Sequence, residues 1–195
     1  CLWWFASNRS VRPAIIVCPA YLKYQWQREA ATHIQTPSEV LEGTKSPRSG
    51  MGGGPPLSIV NYEILHHWLP YLKSRKPQLV IIDEGQYICN PKARRTRSVR
   101  DLCRGVPHVI VATGTPLMNR PSELFSIANL IDPKEFPYFR PYADRYCQPR
   151  LTYWGWKFDG AEKLGHLRKR LLKSCMIRRR KSDVLKDLPP KERYV

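Results

Sequence analysis

A chain of 195 residues is long enough for one domain with a real core, and 42% hydrophobic with 25% charged residues is ordinary for a globular fold. Thirty-three Lys and Arg against sixteen Asp and Glu leave a formal charge of +17, the footprint of a protein that meets a phosphate backbone. Six scattered cysteines without a Cys-x-x-Cys pair argue against a disulfide framework and for a reducing compartment, and no eighteen-residue apolar run supports a membrane helix.

Leu2 to Ala6 reads as the tail of a helix. Ala14 to Cys18 is a short apolar run that predicts a strand. Leu22 to Ile34 sets Leu22, Trp26, Ala30 and Ile34 four residues apart, one stripe of a helix. Gly43 to Pro56 is rich in Gly, Pro and Ser and predicts a surface loop. It holds Gly43-Thr44-Lys45-Ser46 and Gly50-Met51-Gly52-Gly53-Gly54, but a phosphate loop needs Gly-x-x-x-x-Gly-Lys-Ser/Thr, and that order is absent.

Leu57 to Asn61, Leu79 to Asp83 and His108 to Thr113 are three further predicted strands. Helical patterns over Tyr62 to Lys73 and Ala93 to Arg104 separate them, and His66-His67 reads as structural. Strand and helix alternate, which predicts a parallel sheet covered on both faces. Beyond Pro116 the pattern changes. Arg120-Pro121 opens a helix through Ile131, with Pro in its first turn. Pro133 to Pro149 is aromatic and Pro-rich, and a basic amphipathic helix follows from Ala161 to Cys175. Between these, Trp154 and Trp156 are expected to pack this region against the sheet, with stacking on bases as the alternative.

Two runs carry chemistry. Leu79-Val80-Ile81-Ile82 ends in Asp83-Glu84, and His108-Val109-Ile110-Val111-Ala112 ends in Thr113-Gly114-Thr115-Pro116. Parallel sheets bind ligands beyond the carboxyl ends of their strands, where these residues would protrude. An Asp there can hold Mg²⁺ and a neighbouring Glu can orient or deprotonate a water, the equipment of nucleoside-triphosphate hydrolysis. Lys92, Arg94, Arg95, Arg97, Arg100 and Arg104 follow with Asp101 as the one acid among them. From residue 161 to 195, twelve Lys or Arg face four acids. So sustained an imbalance points to phosphate contact over an inert solvated face.

These runs resemble the second and third motifs of a superfamily-two helicase or translocase. Ile15-Ile16-Val17-Cys18-Pro19-Ala20 with Trp26 and Glu29, Ile59-Val60-Asn61-Tyr62-Glu63, Asn90-Pro91-Lys92, and Met176 to Val184 with Leu188-Pro189-Pro190-Lys191 are similar to further segments of Swi/Snf-type DNA-dependent ATPases. Tyr146-Cys147 and Trp154-Gly155-Trp156 resemble the annealing-helicase, fork-remodelling branch.

The resemblance covers essentially the whole chain. It implies an α/β fold: a RecA-like three-layer lobe with a mostly parallel sheet. Residues 1–116 would form the motif-bearing core, 117–176 a helical protrusion and 177–195 a basic closing segment. It also implies ATP and Mg²⁺ as cofactors. Asp83 would serve as Mg²⁺ ligand and Glu84 as catalytic residue. Gln86, Thr113, Gly114 and Thr115 would couple hydrolysis to DNA. Pro19, Lys23, Asn61, Tyr62, Arg178 and Lys181 would be DNA contacts, at forks or single/double-strand junctions.

The family's phosphate loop is expected before Cys1, and its strand is expected beside His108 to Thr113. The second lobe, with the arginine finger, is expected after Val195. The expected location is the bacterial cytoplasm or nucleoid, a phage-infected cell, or the nucleus in a eukaryote. The rivals are a non-catalytic, basic nucleic-acid-binding module with a degenerate helicase fold and, more remotely, a restriction-enzyme motor.

Overall fold

The computed structural model describes residues 1–45, 54–114 and 120–178. Thr115, Lys181, residues 46–53 of the Gly-rich loop and most of the basic closing segment lie outside them.

Strands β1 (Ala14–Cys18), β2 (Ser38–Val40), β3 (Leu57–Asn61), β4 (Leu79–Ile82) and β5 (His108–Val111) form one parallel sheet in the order β2-β3-β1-β4-β5. Its three inner strands are buried at every residue, as two-sided coverage demands of runs such as Ala-Ile-Ile-Val-Cys. Alternate side chains feed two cores. Ile15, Val17, Val60, Val80 and Ile82 meet helices α3 (Leu65–Ser74) and α4 (Arg94–Cys103) through Leu65, Trp68, Leu72, Val99 and Leu102. On the other face, Ile16, Ile59 and Ile81 meet Phe5 of helix α1 (Leu2–Ser7) and the Trp26, Ala30 and Ile34 stripe of helix α2 (Lys23–Ile34). Three layers result.

Two strand ends shorten against expectation. β4 stops at Ile82 and β5 at Val111, though single ladder bonds continue from Asp83 N to Val17 O and from Ala112 N to Ile82 O, both 2.8 Å. β2 was not legible as a strand. Glu39 on it meets Arg75, Ser58 and Tyr71, so polar partners hold this edge where apolar ones hold the centre. At the other edge, β5 has no strand beyond it among the described residues. His108 is exposed and Val109 to Val111 are half-buried. Hollows of about 800 and 630 Å³ run along that side, the first lined by Trp4, His108 and Asn129, the second by Val111, Ala112 and Ile177.

Helices α5 (Pro121–Ile131), α6 (Phe139–Tyr146) and α7 (Leu164–Ser174) build a separate core from Leu124, Phe125, Tyr142, Tyr146, Leu167 and Leu171. Ile127 of α5 reaches back into the core under the sheet and ties the two together. Between α6 and α7 stands a hairpin of β6 (Arg150–Thr152) and β7 (Gly155–Lys157). Its tryptophans overturn the packing expectation: Trp154 is 88% exposed and Trp156 49%, and neither joins the sheet.

Candidate nucleotide site and nucleic-acid face

The parallel register brings Val17, Val60, Ile82 and Val111 level, so the residues that follow them gather along one carboxyl edge. Asp83 sits at its centre. Trp26 donates its indole N–H to Asp83 Oδ2 at 2.9 Å, and the Glu84 backbone N–H donates to Oδ1 at 2.9 Å. The Tyr62 hydroxyl donates to the Asp83 carbonyl at 2.6 Å, and its ring stacks on Tyr87 at 5.1 Å and 8°. The carboxylate is therefore held at both oxygens, and the backbone behind it by Tyr62, while the residue remains half-buried, not sealed.

Glu84 lies in the left-handed region at φ 52°, ψ 60°, which turns the chain sharply off the strand. Gly85 follows because the backbone passes hard against β5: its N–H donates to Ala112 O at 2.9 Å, and a Cβ there would stand 2.4 Å from Val111 Cγ1. Gln86 then links the two motif ends. Its Nε2 donates to Glu84 Oε2 at 2.8 Å, and its Oε1 accepts from the Thr113 hydroxyl at 3.1 Å. Gly114 is exposed at the same edge.

A concavity of about 540 Å³ opens on Asp83, lined also by Trp3, Leu22, Gln25 and Trp26. Among the described residues no three His, Cys, Asp or Glu side chains converge on a metal position. Mg²⁺ keeps several of its waters and binds through one or two carboxylates plus substrate phosphates. The Asp83 oxygens each accept a single N–H and retain lone pairs for such a role.

Burial shapes the electrostatics. The Cys18 thiol is pushed up to about 12, first by desolvation and then by the negative Asp83. Tyr62 is driven up further still by the same two causes. Exposed Tyr21 is also raised, by partial desolvation and by the charges of Tyr87, Glu84 and Asp83.

The expected DNA contacts fare unevenly. Arg178 is exposed, but Pro19, Lys23, Asn61 and Tyr62 are all buried. Lys23 donates to Leu41 O at 3.0 Å and lies 3.9 Å from Glu42, while Asn61 donates to Glu63 at 2.6 Å. These polar side chains bind inside the protein, so the Lys23 ammonium is not a free phosphate contact. The exposed groups nearby are Tyr21 and Tyr24, which a search for cations passes over. Arg94, Arg97 and Lys92 are exposed at the start of α4. Trp26, read as part of a core stripe, doubles as the clamp on Asp83; its spacing gave no sign of that second role.

The SNF2-related domain model matches residues 4–195. The SWI/SNF-related matrix-associated actin-dependent regulator of chromatin subfamily A-like protein 1 homolog of Caenorhabditis elegans is 37% identical over 187 residues, covering 94% of this chain and 27% of that protein. The DNA annealing helicase and endonuclease ZRANB3 of Mus musculus is 33% identical over 191 residues, covering 93% and 18%. The SWI2/SNF2 ATPase core of Sulfolobus solfataricus in complex with dsDNA superposes with a TM-score of 0.73 at 21% identity, over 96% of this chain and 38% of that one, and so shares the fold. The chain spans only about a quarter or less of the curated relatives' length. With the acid pair, the sheet order and the family model in agreement, the chain belongs to the SNF2-related domain family.

Proposed function

We propose that the full-length protein is a DNA-dependent ATPase that moves along DNA, and that this chain forms the hydrolytic edge of its first lobe. The observation that carries the reading is the linked set Asp83, Glu84, Gln86 and Thr113 at one sheet edge, beside a concavity that reaches Asp83. Asp83, held by Trp26 and the Glu84 amide, is the residue that would hold Mg²⁺. The ion supplies charge neutralisation at the transferred phosphate. Gln86 holds one Glu84 oxygen and leaves the other to orient the attacking water and take its proton. Thr113 senses a change at Glu84 through the same amide, which supports a coupling role for Gln86, Thr113 and the adjoining Gly114 and Thr115.

DNA lies, in this reading, across the exposed edge near Tyr21, Tyr24 and the α4 cations, with Arg178 and Lys181 from the closing segment. Contacts of this kind position a backbone and carry no sequence code, as a translocase requires. Preference for forks or junctions is supported by the likeness to ZRANB3, which is named a DNA annealing helicase. The curated relatives cited are animal proteins, which supports a nuclear location; they lend nothing to a bacterial or phage setting.

The test is Glu84→Gln in the full-length protein. DNA-stimulated ATP turnover should nearly vanish while nucleotide binding stays largely intact, because the change acts on the chemical step. Wild-type turnover in that variant would remove Glu84 from the mechanism, whereas a wild-type protein that turns over no ATP would favour the non-catalytic module.

A further inference from the structure

The hairpin β6–β7 turns through Tyr153 and Trp154, with Gly155 at φ +102° and the Thr152 hydroxyl donating to Gly155 O at 2.7 Å. Gly155 takes a positive-φ conformation that a side chain would strain, which is why a glycine closes this turn. The residues placed on it are the reverse of what a solvated turn carries. Tyr153 is 93% exposed and Trp154 88%, their rings edge-to-face at 5.1 Å. Behind them Leu151 and Trp156 form a cross-strand pair, 69% and 49% exposed. The Arg140 guanidinium lies 4.3 Å over the Trp156 ring. At the root, Phe158 is seated against Phe139 at 5.1 Å, and Arg150 pairs with Asp159 at 2.8 Å. The base is anchored and the aromatic tip is free.

From this arrangement we propose that the tip is a stacking platform for unpaired nucleobases. Size argues for bases over a protein surface. Aromatic side chains of this class bury about 150–250 Å² each, so the tip offers a few hundred Å², well short of the roughly 800 Å² per partner of a stable protein interface. A single base presents a flat π face that one or two rings can cover. Charge argues the same way: the chain carries +17, and a cation already sits on the Trp156 ring, an arrangement that also suits a base flanked by phosphate. Exposure leaves the Trp154 ring open to solvent, which supports stacking on a base over packing against the sheet.

The inference deepens the DNA reading above and rests on it, so the test separates the two. Fluorescence anisotropy of the full-length protein is measured against oligothymidylate, a blunt duplex, and a fork with two unpaired arms. Trp154→Ala should weaken binding to the oligothymidylate and the fork about tenfold or more, the worth of one base stack. Blunt-duplex affinity should stay within about twofold, the scale of a neutral surface change. Trp154→Phe, which keeps a π face, should restore most of the loss. Both variants should melt with the wild type, because the side chain is exposed.

Equal losses on all three probes, or none, would overturn the platform and leave the duplex reading standing. A wild-type protein that binds none of the probes would overturn both. A lowered melting temperature with unchanged DNA affinity would assign the tip to another segment of the same protein. Self-association lost in Trp154→Ala, again with unchanged DNA affinity, would assign it to a second copy. Either result would overturn the proposal.

Discussion

Glu84 and Thr113, which follow neighbouring strands, are joined through the two ends of one amide: Gln86 donates to the first at 2.8 Å and accepts from the second at 3.1 Å. The pair cannot shift independently while that side chain holds both. Gln86→Leu should cut DNA-stimulated turnover about tenfold or more, since a hydrogen bond to a charged group is worth roughly 1.5–3 kcal/mol. Nucleotide affinity should hardly move. Steady-state ATPase rates of the full-length protein with and without DNA check this; an unchanged stimulation ratio would refute a coupling role for the amide.

Gly85 stands where a methyl group has no room. Gly85→Ala should cost about 1–3 kcal/mol through crowding of Val111, which lowers the melting temperature by roughly 2–12 °C. A thermal melt suffices, and an unshifted melt would mean that the β4 and β5 ends are looser than the 2.9 Å bond from Gly85 N to Ala112 O implies.

Lys23 offers a clean separation of structure from DNA binding. Lys23→Met leaves the Leu41 carbonyl without its donor and should destabilise by about 1–3 kcal/mol. The slope of log DNA affinity against log salt should not change. Neutralising exposed Arg97 should instead flatten that slope by about 0.9 while leaving the melt alone. Reversal of the two outcomes would return Lys23 to the DNA face.

The buried thiols set an alkaline limit. Desolvation raises Cys18 and Cys103 to about 12, and Cys89 and Cys147 to about 11, from an ordinary 9.0. Because the folded values are the higher ones, the unfolded chain loses these protons first. The associated stability is fully present below pH 9 and drains away as pH climbs toward the folded values. Melting temperatures should fall above that point. At pH 8, by contrast, a disulfide reagent should modify exposed Cys1 far ahead of the buried thiols Cys18, Cys103 and Cys147.

How much of this was legible beforehand depends on where each residue is buried. The inner strands were, because a run such as Leu57 to Asn61 must be β-branched and apolar to sit between two helix layers. The α2 stripe was legible for the same reason. Ser38-Glu39-Val40 was not, since an edge strand of three residues held by Arg75 leaves no period to read. Lys23 misled because lysine is rarely enclosed; only the fold brings Leu41 O within 3.0 Å of its ammonium. Trp154 misled for the opposite reason, since hydropathy cannot tell a core tryptophan from one placed on a turn. The acids were visible as a motif, but the Gln86 link that joins them to Thr113 is a contact across twenty-seven positions that spacing does not encode.

The left-handed backbone at Glu84 carries a consequence of a different kind. A side chain in that region costs about 1–2 kcal/mol that glycine would not incur, and the protein bears it where its proposed water-orienting group must stand. The hydrogen bond from Gln86 offsets that cost, and selection for turnover would hold an acid at this position. Glu84→Gly relieves that strain but loses the Gln86 hydrogen bond, so its melting temperature should stay near the wild-type value while turnover is abolished.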